Sequence, residues 1–179
     1  MAIAAGITID EFELLPDALA HNHELVDGEL VDVSGNTAYH NLLRDLLVVL
    51  LSAPVKKRKL GRIISEQEFD FDGNAHAPDV ALIGASKVRL LDLKRRVQRF
   101  VPDLAIEIVS ENDKFRFLTK KADRYRKCGT KEVWVLDPDS RKTFVESEDR
   151  QVILDDQQIF KSKLIPGFSI RLSDLFDQV

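Results

Sequence analysis

Two acidic side chains sit where acids are costly. In PDLAIEIVS, residues 102–110, Glu107 interrupts a run whose other members, Leu104, Ala105, Ile106, Ile108 and Val109, suit a strand covered on both faces. A carboxylate there costs several kcal/mol unless it is paired or holds a metal ion. Asp79 follows Pro78 at the head of a second apolar run, VALI. If the two runs are neighbouring strands, their acids meet. Hard divalent ions such as Mg²⁺ or Mn²⁺ take one or two carboxylates, with water and phosphate oxygens completing the shell. Such an ion lowers the pKa of its water and stabilises charge on a phosphodiester under attack. For Asp79 alone, ordinary Pro-Asp turn chemistry is the better account. For Glu107, the apolar surroundings weaken the alternative of a simple arginine pair.

A cation completes the pattern. On a helix advancing about 100° per residue, Leu118, Ala122 and Tyr125 form one apolar stripe, with Lys121 at its edge beside Tyr125. Lys120, Arg124 and Lys127 point elsewhere, and Lys114, near the helix start, is a weaker rival. A lysine so placed commonly snorkels to water. It can instead reach inward to an anionic site at the end of the preceding strand, and Glu107 leads through a short loop into this helix.

The elements that must position these residues follow from periodicity. Ile7 to Leu19 predicts a short helix capped by Thr8 or Asp10. HELVDGELVDVS (23–34) alternates about Asp27-Gly28 and predicts a hairpin. Thr37 to Leu51 predicts a long helix ending before Pro54. GRIISEQEFDFDG (61–73) reads as one strand turning at Gly73-Asn74 into APDVALIG (77–84), and Ser86 to Arg99 as a charged helix. After PDLAIEIVS comes a helix from about Asp113 to Cys128, closed by Gly129. EVWVLDP (132–138) is another buried strand, RKTFVES begins a set of short ones, and Asp174 to Val179 is a last helical turn. Strands mixed with helices predict one α/β or α+β domain over residues 1–179, built on a central mixed sheet flanked by helices.

Composition narrows the function classes. The 44% apolar and 31% charged fractions over 179 residues are those of a soluble globular chain. No apolar stretch reaches the roughly 18 residues of a membrane helix. MAIAAGITIDEF lacks the basic start of a secretory signal, and the single Cys128 precludes an internal disulfide. A cytoplasmic location is therefore expected. Residues 1–55 hold one basic and nine acidic side chains, whereas residues 56–131 hold nineteen basic and eleven acidic. That basic middle suits a surface for a polyanion, or else a set of solvated faces. A pI near 5.6 argues against a binder that works by charge alone. Without a Gly-rich phosphate loop or a G-x-S-x-G elbow, nucleotide-dependent and serine-hydrolase readings have no anchor.

Several motifs carry a resemblance. PDVALIG, PDLAIEIVS, the K-x3-Y-x3-G-x2-E-x-W series (Lys121, Tyr125, Gly129, Glu132, Trp134) and VLDP look like the Uma2 family, also called DUF820. HELVDGELVDVS, followed by His40 and a long helix, is similar too, and the likeness runs from about residue 9 to 175. That family is a branch of the PD-(D/E)XK nucleases with the restriction endonuclease-like fold. The resemblance implies a metal-dependent endonuclease hydrolysing DNA, with Asp79 and Glu107 as the motif acids that hold Mg²⁺ or Mn²⁺. The Ile108 or Val109 carbonyl would add an oxygen ligand. The superfamily's lysine, two residues after the glutamate, is here Val109. The family supplies that cation from the following helix, where Lys121 is the matching position, orienting or deprotonating the attacking water. IVSENDK also replaces the Ser-Pro that many relatives carry after the strand.

Other residues compete for roles. Glu66, Gln67 and Glu68, on the strand before Asp79, could supplement the site, as could Glu24 in the hairpin; a salt bridge or turn explains each equally well. His76 reads better as an exposed turn residue than as a ligand. His21-x-His23 lacks a third zinc ligand, and Cys128 at a helix C-terminus disfavours a thiolate. Tyr125 and Trp134 read as core packing rather than as base-stacking platforms. The competing function is a catalytically inactive nuclease-fold domain that binds nucleic acid or a protein partner. Val109 and the low pI favour it; Asp79, Glu107 and Lys121 oppose it. Cutting both strands commonly uses two sites, which suits a homodimer without any residue requiring one.

Overall fold

The computed structural model describes residues 6–33, 35–110 and 115–179, with the backbone alone for 115–117. Lys114, the ENDK loop and the helix start predicted at Asp113 lie outside the described residues.

Thr8 opens the first helix. Its hydroxyl accepts the Glu11 N–H while the Glu11 carboxylate takes the Thr8 N–H, a capping box that starts α1 (Ile9–Glu13). Pro16 then interrupts, so the predicted single helix is α1 and α2 (Asp17–Ala20). The hairpin forms as expected from β1 (His23–Val26) and β2 (Glu29–Asp32). Asp27 (φ 51°) and Gly28 (φ 84°) take the left-handed conformation that its two-residue turn requires.

Helix α3 (Ala38–Lys57) runs through Pro54 instead of ending before it. Leu43, Leu47, Leu51 and Val55 are buried at four-residue spacing. Burying Val55 carries the helix past the missing proline N–H. The predicted strand over 61–73 is also two: β3 (Gly61–Ser65) and β4 (Glu68–Asp70) flank Glu66 at φ 52° and enter different sheets. Next come β5 (Ala75–His76) and β6 (Val80–Gly84). Ser86 to Arg99 is not a helix but a 3-10 turn at Val88–Leu90 and a short β7 (Val97–Gln98). Its charges are drawn to separate elements, Lys87 to Asp103, Arg96 to Glu68 and Arg99 to Glu13. β8 (Leu104–Ile108), α4 (Phe115–Lys127), β9 (Glu132–Asp137), β10 (Lys142–Ser147) and β11 (Arg150–Leu154) follow. β12 (Ile159–Lys161), β13 (Ser169–Arg171) and α5 (Leu172–Phe176) end the chain, the last helix starting at Leu172 rather than Asp174.

The expected central mixed sheet is the six-stranded one, and a second large sheet and a separate β12–β13 pair join it. The six-stranded sheet runs β11-β10-β9-β8-β6-β3, parallel only between β8 and β9. The five-stranded sheet runs β2-β1-β5-β4-β7. On one face of the larger sheet, Leu43, Leu47 and Leu51 of α3 meet Leu82, Leu104, Ile106 and Trp134. On the other, Leu118, Ala122 and Tyr125 of α4 meet Ala81, Ala105 and Val133, with Phe69 and Phe71. Strand alternation therefore turns Ile106 and Ile108 toward α3 and Glu107 toward α4. The register that pairs Val80 with Ile106 places Asp79, one residue before β6, across from Glu107. No helix among the described residues is long and apolar enough to cross a membrane.

Pro54→Ala is expected to restore a hydrogen bond inside α3 and raise stability by roughly 1–2 kcal/mol in urea denaturation. A lowered midpoint would mean that the helix does not continue through this position.

Candidate active site

Glu107 is only 4% exposed, so its surroundings must offset the burial of a carboxylate. The Tyr125 hydroxyl donates to Oε1 at 2.6 Å and the Lys121 ammonium to Oε2 at 3.1 Å. Both donors stand four residues apart on α4, so one helical turn supplies the pair. Tyr125 also stacks on Phe71, with ring centroids 4.1 Å apart. Core packing is thus half its role. A buried tyrosine O–H needs a partner, which was the signal for the other half.

Lys121 does not serve Glu107 alone. Its Nζ lies 2.9 Å from Oε1 of Glu24, on β1 of the other sheet. Glu24 accepts the Ala77 N–H at 3.0 Å and meets His76 Nδ1 at 2.8 Å. Three residues on, Arg124 donates to both carboxylate oxygens of Asp27 at 3.0 and 3.1 Å. Helix α4 therefore grips the hairpin at two points one turn apart. His76 is buried, contrary to the exposed turn expected of it, because β5 is paired on both sides.

Asp79 is fixed through both oxygens. Oδ2 accepts the Ile108 N–H at 2.7 Å, and Oδ1 lies 3.2 Å from His40 Nε2. Thr37, the cap of α3, accepts the His40 N–H at 3.2 Å. His40 enters only the motif likeness and is assigned no place in the site by sequence, yet it occupies the same buried stripe as Leu43, Leu47 and Leu51. A polar residue on an apolar stripe is a detectable signal. Asp79, Glu107, Lys121, Glu24 and His40 all line one cleft of about 880 Å³.

Two carboxylates and one ammonium lie almost fully buried together at the edge of this cleft, which favours retention of a further proton. Burial pushes Glu107 up to about 8, against the pull of Lys121. Burial acts in the same sense on Glu24, but Lys121 and His76 outweigh it and hold its carboxyl well below the usual range. Burial disfavours the Lys121 ammonium, and Glu107 and Glu24 more than reverse this, raising it. Burial likewise opposes the charged form of His40, yet Asp79 raises it. His76 is lowered, chiefly by burial.

Among the described residues, no three of His, Cys, Asp and Glu form a ready-made metal cage. The facing acids are oxygen donors, which fit a hard divalent ion completing its shell with water better than zinc. A carboxyl that burial raises this far also gains most from a cation. Glu66 and Glu68 line the cleft but are engaged by Arg44 at 2.5 Å and by Arg96 at 2.6 Å, as salt bridges predict. The Gln67 amide donates to the Arg96 carbonyl at 2.5 Å. Of the supplementary candidates, Glu24 is the one bonded to Lys121. His23 Nδ1 turns to the His21 carbonyl at 2.9 Å. Trp134 packs on the α3 side with Phe160 and donates to Glu132 at 2.6 Å. Burial raises the Cys128 thiol.

No curated protein matches this sequence. A solved chain from Anabaena variabilis ATCC 29413, described as "a putative nuclease belonging to DUF820", is 23% identical and superposes with a TM-score of 0.84. The match covers 96% of this chain and 98% of that one. It shows the fold, which is restriction endonuclease-like as the motifs implied. The Uma2 family model, described as "Putative restriction endonuclease", matches residues 9–173, and by a match of that extent the chain belongs to the Uma2 family.

Proposed function

We propose that this protein is a metal-dependent endonuclease that hydrolyses DNA phosphodiester bonds, residues 1–179 acting as one nuclease domain in the cytoplasm. One observation carries the reading: Asp79 and Glu107 face each other across antiparallel strands, and the Lys121 ammonium bonds Glu107 at 3.1 Å. Mg²⁺ or Mn²⁺ held by Asp79 and Glu107, with the Ile108 or Val109 carbonyl as a further oxygen, would lower the pKa of a water and offset phosphate charge. His40 and the Ile108 N–H keep Asp79 oriented. Tyr125 keeps Glu107 oriented when its proton leaves. Lys121 orients the attacking water and offsets charge building on the phosphate. The cleft lining holds more acids than bases, so a polyanion enters only as cations neutralise its floor. A homodimer would present two such clefts to opposite strands.

A second reading has an observation of its own. Glu107 already has Lys121 and Tyr125 as partners within the chain, which is all that an inactive nuclease-fold domain binding nucleic acid or a protein would need.

Calorimetric titration of Mn²⁺ into the wild type and Glu107→Gln, with plasmid nicking on the same samples, separates the two. Binding and nicking are both expected to vanish in the variant while stability changes little, because an amide replaces a carboxyl that keeps its proton near neutral pH. A wild type that binds no Mn²⁺ would leave the inactive-domain reading. Metal-free stability also carries a sign. Because the folded state raises Glu107 from 4.5 to about 8, its contribution is complete below the lower value and lost as pH rises through the upper. The slope reaches at most about 1.4 kcal/mol per pH unit. Urea midpoints over this range should fall more steeply in the wild type than in Glu107→Gln; parallel profiles would show Glu107 ionised throughout.

A further inference from the structure

We propose that Glu24 sets the metal affinity of the cleft by giving Lys121 a carboxylate to keep when a metal ion takes Glu107, an inference that rests on Asp79 and Glu107 being the metal-binding acids. Lys121 has one ammonium and two buried carboxylates to satisfy, at 2.9 Å for Glu24 and 3.1 Å for Glu107. A divalent ion arriving at Glu107 competes with that ammonium for the same oxygens. With Glu24 present, Lys121 gives up the Glu107 oxygens and keeps a carboxylate partner. With Glu24 neutral, the ion must displace a buried lysine that has no second anion, at the cost of an uncompensated charge.

Glu24 is built for this role. Its carboxylate is 2% exposed and is fixed independently of Lys121, by the Ala77 N–H and by His76 Nδ1. The Arg124–Asp27 contact locks the same hairpin to the same helix, so Glu24 keeps its place when Lys121 shifts. The lysine's location explains the need. A lysine two residues after Glu107 would be placed by the strand itself, but position 109 is Val. Lys121 reaches the site on a long flexible stem from another layer, so a second anchor must define where its charge sits. Glu24 is thus a positioning residue that acts through Lys121.

The test is a double-mutant cycle on Mn²⁺ affinity, measured calorimetrically with Glu24→Gln, Lys121→Met and both. Glu24→Gln alone is expected to weaken Mn²⁺ by about tenfold or more. In the Lys121→Met background the same change should move Kd by less than about threefold. Equal weakening in both backgrounds would show that Glu24 acts only through its own charge, and no weakening in either that Lys121 does not compete; each overturns the proposal. A wild type that binds no Mn²⁺ removes the metal-site reading and this inference with it. Lys121→Met leaves two buried carboxylates without their cation and risks unfolding, so a second measurement uses Glu24→Gln alone. At saturating Mg²⁺, the Lys121 ammonium ¹⁵N signal should stay protected from hydrogen exchange in the wild type and lose protection in Glu24→Gln. Protection in both would overturn the proposal.

Discussion

A carboxylate in the middle of a fully buried strand governs this molecule. Glu107 sits on β8, between β9 and β6, with its side chain turned to the α4 face of that sheet. Compensation can come only from the α4 side. That fixes what α4 must present, a cation and a hydroxyl one turn apart, and Lys121 and Tyr125 are those groups. A buried lysine in turn needs more than one acceptor, which brings Glu24 and with it the second sheet against the first. Removing the cation from such a buried cluster typically costs about 3–5 kcal/mol, on the order of half a domain's stability. The arrangement of layers is thus the solution to one electrostatic problem.

What the sequence revealed is what local pattern determines. The hairpin at Asp27-Gly28, β8, β9 and the face of α4 follow from turn chemistry and periodicity; Glu107 stands out against β8, whereas the family likeness singles out Asp79 and prefers Lys121 to Lys114. Apart from the break at Pro16, which is local, the misreadings share one cause, that the deciding partner is distant in sequence. Helix α3 passes Pro54 because Val55 has a core to enter. The 61–73 run splits at Glu66 because two sheets claim its halves. Ser86 to Arg99 looked helical by charge spacing, but its arginines are held by acids elsewhere. His76 and Glu24 are 52 residues apart and uninformative until paired.

The same pairings revise the meaning of the basic middle segment. Arg96, Arg99, Arg124 and Lys87 are engaged by Glu68, Glu13, Asp27 and Asp103. Much of the charge that suggested a surface for a polyanion joins elements within the chain instead. Lys56, Lys57, Arg58 and Lys59, exposed at the end of α3 and without an ion pair among the described residues, stand well away from His40 at its start.

The bridge between hairpin and α4 also orders the birth of the protein. Arg124 and Asp27 are 97 residues apart, and Lys121 and Glu24 equally far, so both links close late, after the chain has paid for a long loop. Strands β6 and β8 precede α4 in the chain and can set Asp79 against Glu107 without the Lys121–Glu24 bridge. On the ribosome the hairpin emerges first and α4 much later. A chain cut before α4 therefore holds the acids without the bridged cation, and α4 is the last element to line the cleft.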